Sequence, residues 1–149
     1  MFLGSYKYSV DVKGRISIPS IYKKYVNESA NETFVMTRGI VQCIDIYPQD
    51  FWKEEVLPRI NQLDDFDSDE AAFKRMLLEL AAEYKLDSQS RLLVPKNLLD
   101  FANIGKEVFV LGQNKKIEFW NPEVYELHKK EQTKPFAEIA KQIMQKKTK

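Results

Sequence analysis

The chain repeats itself. The stretch "SVDVKGRISIPS", from Ser9 to Ser20, returns as "KLDSQSRLLVPK", from Lys85 to Lys96. Asp11 matches Asp87, Arg15 matches Arg91 and Pro19 matches Pro95, each pair separated by 76 residues. The apolar positions keep the same offset: Val10 with Leu86, Ile16 with Leu92, Ile18 with Val94. A unit of about 45 residues is too small to bury a good core by itself, since chains of roughly 40–60 residues are marginal. Two such units in one chain solve that problem by packing on each other.

Both copies read as strand, strand, helix, strand, strand. In the first, period-two alternation from Tyr6 to Val10 and again from Arg15 to Ile18 flanks the turn "DVKG", the pattern of a β-hairpin. Pro19 suits the first turn of a helix, where its fixed φ fits and its missing N–H costs nothing. "SIYKKYV" follows with Ile21, Tyr22, Tyr25 and Val26 at helical spacing, and "TFVMT" and "CIDIYP" are strands. In the second copy "EYKL" and "RLLV" flank the turn "DSQS", "KNLLDFA" is the helix, and "VFVLG" and "KIEFW" are strands. The expected fold is therefore mainly-β α+β. Its organisation is a first unit over 5–50, a helical linker over 51–80, a second unit over 81–124 and a helical tail over 125–149.

In the linker, "FWKEEVLPRINQL" is helical with a kink or division expected at Pro58. A second helix is expected to start from a cap at Ser68 or Asp69. Phe73, Met76, Leu77 and Leu80 share one face of it, as Phe136, Ile139, Ala140 and Ile143 do in the tail. Those two faces exceed what a small core needs and point to contacts between copies.

Charge narrows the function classes. The formal net charge of +1 hides a segregation: nine acidic and two basic residues between Asp45 and Glu70, against six basic and three acidic from Met1 to Ile40. One basic face is therefore available for nucleic acid. No apolar run approaches membrane-spanning length and the N-terminus does not read as a signal peptide. Cys43 is alone, which excludes an intrachain disulfide and fits a reducing cytoplasm. No phosphate-binding glycine loop, nucleophile elbow or metal-ligand spacing is present, and the acidic run from Asp64 to Glu70 lacks the calcium-loop pattern. An enzyme, a cofactor and a small-molecule substrate are not expected.

The motif left over is Asp11-Val12-Lys13-Gly14-Arg15. Gly14 can take the positive φ of a tight turn, presenting Lys13 and Arg15 at its end, while the Asp11 carboxylate can hold turn N–H groups or the Arg15 guanidinium. "VDVKGRISIP" resembles the V-D-x-x-G-R-x-x-I-P signature of the AbrB-like DNA-binding domains. Together with "MFLGSYKYSVDVKGR", "VMTRG" and "VFVLGQNKKIEFW", the tandem arrangement resembles the MraZ family of transcriptional regulators. The resemblance implies a pseudo-two-fold, swapped-hairpin AbrB-like barrel with flanking helices. It implies a cytoplasmic, nucleoid-associated regulator that binds direct repeats in double-stranded DNA, in its own promoter region upstream of the division and cell-wall genes. A homo-oligomeric ring, octamer or dodecamer, is implied with it. DNA contact then falls to Arg15, Lys13, Lys7, Gly14 and Arg91, with Asp11 and Asp87 shaping the turns. The second copy departs from the signature: Ser90 replaces the glycine and Gln89 removes a positive charge. The competing expectation is a protein-binding module of the same fold, antitoxin-like or a scaffold, without specific DNA readout.

Overall fold

Strands β1 (Ser5–Ser9) and β2 (Arg15–Ser17) flank the first turn, yet they do not pair with each other. In the computed structural model, which describes residues 1–148, β1 runs antiparallel to β7 (Glu107–Gln113) and β2 to β6 (Arg91–Leu93). The second copy makes the same exchange, with β5 (Ala82–Lys85) laid against β3 (Thr33–Arg38). The two hairpins read from the alternation are thus turns whose arms diverge into the other unit. Period-two patterning reports that a strand has one buried face; it does not say which strand lies beside it.

The resulting six-stranded antiparallel sheet has the order β1-β7-β8-β4-β3-β5, completed by β4 (Ile44–Pro48) and β8 (Lys116–Trp120). Strands β2 and β6 form a separate two-stranded sheet. Exchanging β1–β4 with β5–β8 leaves this order unchanged, which is the pseudo-two-fold expected of two ββαββ units. The registers obey the same symmetry, with Ile16 opposite Leu92 in one pair and Asp45 opposite Glu118 in the other. Among the described residues no ladder closes the large sheet, whose edges are β1 and β5.

One core lies between the units. Ile16, Ile18, Phe34, Met36 and Ile46 come from the first, and Leu92, Val94, Val108, Ile117 and Phe119 from the second, all buried together. Ile16 and Leu92 are fully excluded from solvent at the centre of the small sheet. Tyr22, on the short helix α1 (Ser20–Lys23), is buried among Phe2 and Tyr6 and donates its hydroxyl to the carbonyls of Leu3 and Gly4. Burial pushes its pKa up to about 12. Strand β3 is covered on both faces: Phe34 and Met36 enter the main core, and Val35 meets Trp52 and Ile60 of the linker helices.

Those helices are α2 (Gln49–Phe51), a π-helical turn over Trp52–Val56, and α3 (Leu57–Asn61). The division expected at Pro58 falls in the π turn just before it, because proline has no N–H to continue the α ladder. Helix α4 (Ser68–Glu79) is capped one residue earlier than expected, by Asp67, whose carboxylate accepts from the N–H groups of Asp69 and Glu70 at 2.9 Å each. Its apolar face is divided: Leu80 packs on the main core and Leu77 on the Trp52 cluster, whereas Phe73 and Met76 remain exposed. The second unit has α5 (Lys96–Phe101) after Pro95, and α6 (Pro122–Glu131) after β8. Tyr125 of α6 stacks on Phe109 and meets Trp120 edge-on. The tail helix α7 (Phe136–Lys147) has no buried residue. Lys149, the last residue of the expected tail, lies outside the described residues. No helix among the described residues is long and apolar enough to cross a membrane.

Candidate nucleic-acid interface

The two turns are built alike. In the first, the Gly14 N–H donates to the Asp11 carbonyl at 3.0 Å and the Asp11 N–H to the Arg15 carbonyl at 3.2 Å. Gly14 has φ +84°. This is a three-residue loop closed by a residue in the left-handed region, a geometry glycine enters without steric cost. One Asp11 oxygen accepts the N–H groups of Lys13 and Arg15 at 2.9 Å each, and the other accepts Arg15 Nε at 2.6 Å. The Arg15 N–H, followed by those side-chain and Lys13 bonds, holds the Asp11 carboxyl below its ordinary range.

The second turn repeats each bond. Asp87 accepts the N–H groups of Gln89 and Arg91 at 2.9 Å each and Arg91 Nε at 2.8 Å. Its carboxyl is lowered for the same reason, the Arg91 N–H first. Ser90 occupies the glycine position with φ +59°, so the departure from the signature leaves the shape intact and places a side chain in the left-handed region. The turns also dock on the opposite units: the Val94 N–H donates to the Gly14 carbonyl, and the Ile18 N–H to the Ser90 carbonyl, both at 3.0 Å.

This interlock brings the motifs together. Arg91 Nη1 lies 3.7 Å from the Asp11 carboxylate, so Asp11 stands between Arg15 and Arg91. In both arginines the carboxylate engages Nε, and the side chains stay partly exposed. Among the described residues no hydrogen bond engages the terminal nitrogens of Arg15, whose bond to Asp11 is made through Nε. A guanidinium held at Nε with a free terminal edge is oriented for a phosphate or the edge of a guanine. Lys13 is exposed at the tip of its turn beside Val12, which is also fully exposed. Lys7 is exposed on β1, opposite Phe109, four residues before the turn; at the strand rise that is about 13 Å along the chain.

Lys23 is a cation that the sequence reading passed over. Its Nζ donates to Ser90 Oγ at 2.7 Å, bringing a positive charge from the first unit to the second turn, where Gln89 replaces a lysine. The repeat offset carries a signal for it, since Leu99 is the equivalent residue and packs against Gly14. One turn is thus backed by an aliphatic side chain and the other by a lysine.

Across the pseudo-two-fold, β4 and β8 set Asp45 opposite Glu118, both nearly buried. Lys116 bridges them at 2.9 Å and 3.4 Å, and Trp120 Nε1 donates to Glu118 at 2.9 Å. Burial raises the Asp45 carboxyl. Burial alone would lower the Lys116 pKa, but Asp45 outweighs it and the net shift is upward. Cys43, Asp45 and Glu118 offer ligand atoms within 4.8 Å of one another, yet the Lys116 ammonium occupies the cation's place. Burial also pushes the Cys43 thiol up, away from a ligating thiolate. These residues do not fit a metal; they fit an internal ion pair.

Comparison with known proteins bears on this pair of turns. The chain matches the family described as "MraZ protein, putative antitoxin-like" twice, over residues 1–76 and 77–147. It is 36% identical to a protein of Natranaerobius thermophilus named "Transcriptional regulator MraZ", over 97% of this chain and 97% of that one. A protein of the same name from Caldanaerobacter subterraneus subsp. tengcongensis is 34% identical, over 96% of each chain.

Proposed function

Because the chain belongs to the MraZ family, we propose that it is a sequence-specific DNA-binding transcriptional regulator whose paired Asp–Arg turns are its contact surface. The family consists of transcriptional regulators, and this chain is not an enzyme. The observation that carries the DNA reading is the shared placement of Arg15 and Arg91: each is tied at Nε by its own aspartate, and Asp11 lies within reach of both. Lys13 and Lys23 add one cation to each turn, with Lys7 along the neighbouring strand. Such cations neutralise phosphates and release counterions, while an oriented arginine can also bond a guanine edge.

In this reading the operator is a set of direct repeats upstream of the protein's own gene, in the division and cell-wall cluster. Copies assembled as a ring place successive turn pairs on successive repeats, and each later contact is intramolecular. The units at 5–50 and 81–124 supply the turns, the linker over 51–80 and the tail over 125–149 supply contacts between copies, and the protein acts in the cytoplasm at the nucleoid. Nuclease footprinting of the purified protein on DNA upstream of its gene is the direct experiment. Protection at regular short intervals is expected. A uniform, sequence-independent pattern would instead favour the protein-binding alternative, to which the antitoxin-like part of the family description also points.

A further inference from the structure

The tips of the two turns differ more than their frames do. Val12 and Lys13 stand at the tip of the first, Ser88 and Gln89 at the tip of the second. The frame asks nothing of the valine. Val12 holds the second position of a β-turn closed by the Gly14 N–H on the Asp11 carbonyl, where proline and small polar residues are the usual occupants. The Asp11 carboxylate binds the N–H groups of Lys13 and Arg15, and none of these bonds involves the Val12 side chain. Serine fills the same place in the second turn with the equivalent bonds all kept. Val12 is 104% exposed, so it adds nothing to the core, and it projects from the turn that carries Arg15.

We propose that Val12 is a specificity-determining residue whose methyl groups rest on the 5-methyl of a thymine in the major groove, beside the base pair that Arg15 reaches. This inference rests on the DNA-binding reading of the proposed function and deepens it. Every base pair offers hydrogen-bonding edges in the major groove, but the only apolar group displayed there is the thymine methyl. An aliphatic tip carried into that groove therefore has one partner of its own kind. The groove is about 12 Å wide and admits a two-stranded ribbon, which is broader than a three-residue loop. The second turn has no aliphatic tip. Lys23, bonded to Ser90 Oγ at 2.7 Å, gives it a point charge suited to a phosphate. One chain thus meets its site with unlike ends, one reading a methyl and the other anchoring the backbone. Such a reader distinguishes a site from its reverse, which a reader with two equal ends cannot do.

The test compares the wild type with full-length Val12→Ser, which gives the first turn the residue that the second already holds. Circular dichroism, melting temperature and oligomer size should therefore match. The probe is the duplex from upstream of the protein's own gene, prepared once with thymidine and once with deoxyuridine, which lacks only the methyl. The wild type should prefer the thymidine duplex by on the order of fourfold per contacted repeat, the worth of one buried methyl. Val12→Ser should lose that preference. Any change in duplex shape or flexibility acts on both proteins alike, so the difference between them isolates the contact. An equal preference in both proteins, or none in the wild type, would overturn the proposal while leaving the Asp–Arg turns their DNA role. A wild type that binds this duplex no better than unrelated DNA would remove the DNA reading and the methyl contact together.

Discussion

Gly14 and Ser90 occupy the same backbone position in the two turns, and only one of them suits it. A non-glycine residue in the left-handed region costs about 1 kcal/mol, so Ser90→Gly should stabilise the protein by roughly that amount, read as a higher melting temperature. Gly14→Ala should do the reverse and more strongly. Besides the φ of +84°, its Cβ would stand 3.0 Å from the Val94 carbonyl oxygen and 3.3 Å from Leu99. The aspartates give the turns an acid dependence. Their folded pKa values lie below the ordinary value of about 4, so they contribute stability above that pH and lose it as pH falls through the depressed values. As pH falls below about 4, the melting temperature of the wild type should therefore fall more steeply than that of an Asp11→Asn/Asp87→Asn variant. Asp11, Arg15 and their second-unit equivalents were legible in the sequence because the motif is local: every bond within each turn spans at most four residues. Lys23 was not, since it reaches Ser90 across 67 positions and only the folded exchange of strands brings them together.

The strands carried half of their own story. Alternation placed β1, β2, β5 and β6 and fixed which side chains face inward, as Ile16 and Leu92 do. Their neighbours were invisible to it, because pairing across units depends on which edges are free when the units meet. The same limit applies to β4 and β8, where each strand carries one acidic residue and the symmetry sets Asp45 against Glu118. Two like charges facing each other inside a sheet would oppose the pairing. Lys116 reverses that, and its equivalent in the first unit is Cys43, so the ion pair exists only because the copies differ. Lys116→Met should destabilise the protein by about 3–5 kcal/mol, the cost of leaving buried acids without their cation. Adding Glu118→Gln should recover part of the loss in a denaturant titration. An unchanged midpoint for Lys116→Met would show that water solvates these acids after all.

At the scale of the whole molecule, two interlocked units produce one arginine-bearing edge, and the linker and tail helices leave Phe73, Met76, Phe136 and Ile143 exposed. The sequence named these helical faces but could not divide them: Leu77 and Leu80 are taken by the chain's own core, and Phe73 and Met76 are left over. If several copies engage DNA together, the slope of log affinity against log salt should grow with the number of repeats in the probe, at about −0.9 per neutralised phosphate. Shifting the repeat spacing by half a helical turn should abolish that gain, since neighbouring edges would then face opposite sides of the duplex. The central claim, that the paired Asp–Arg turns contact DNA, is tested most directly by titrating DNA from upstream of the protein's own gene with the wild type and the Arg15→Ala/Arg91→Ala double variant at fixed salt. The account predicts that the double variant falls to the affinity of unrelated DNA while its circular dichroism and oligomer size are retained. Unchanged affinity in the correctly folded double variant would contradict it.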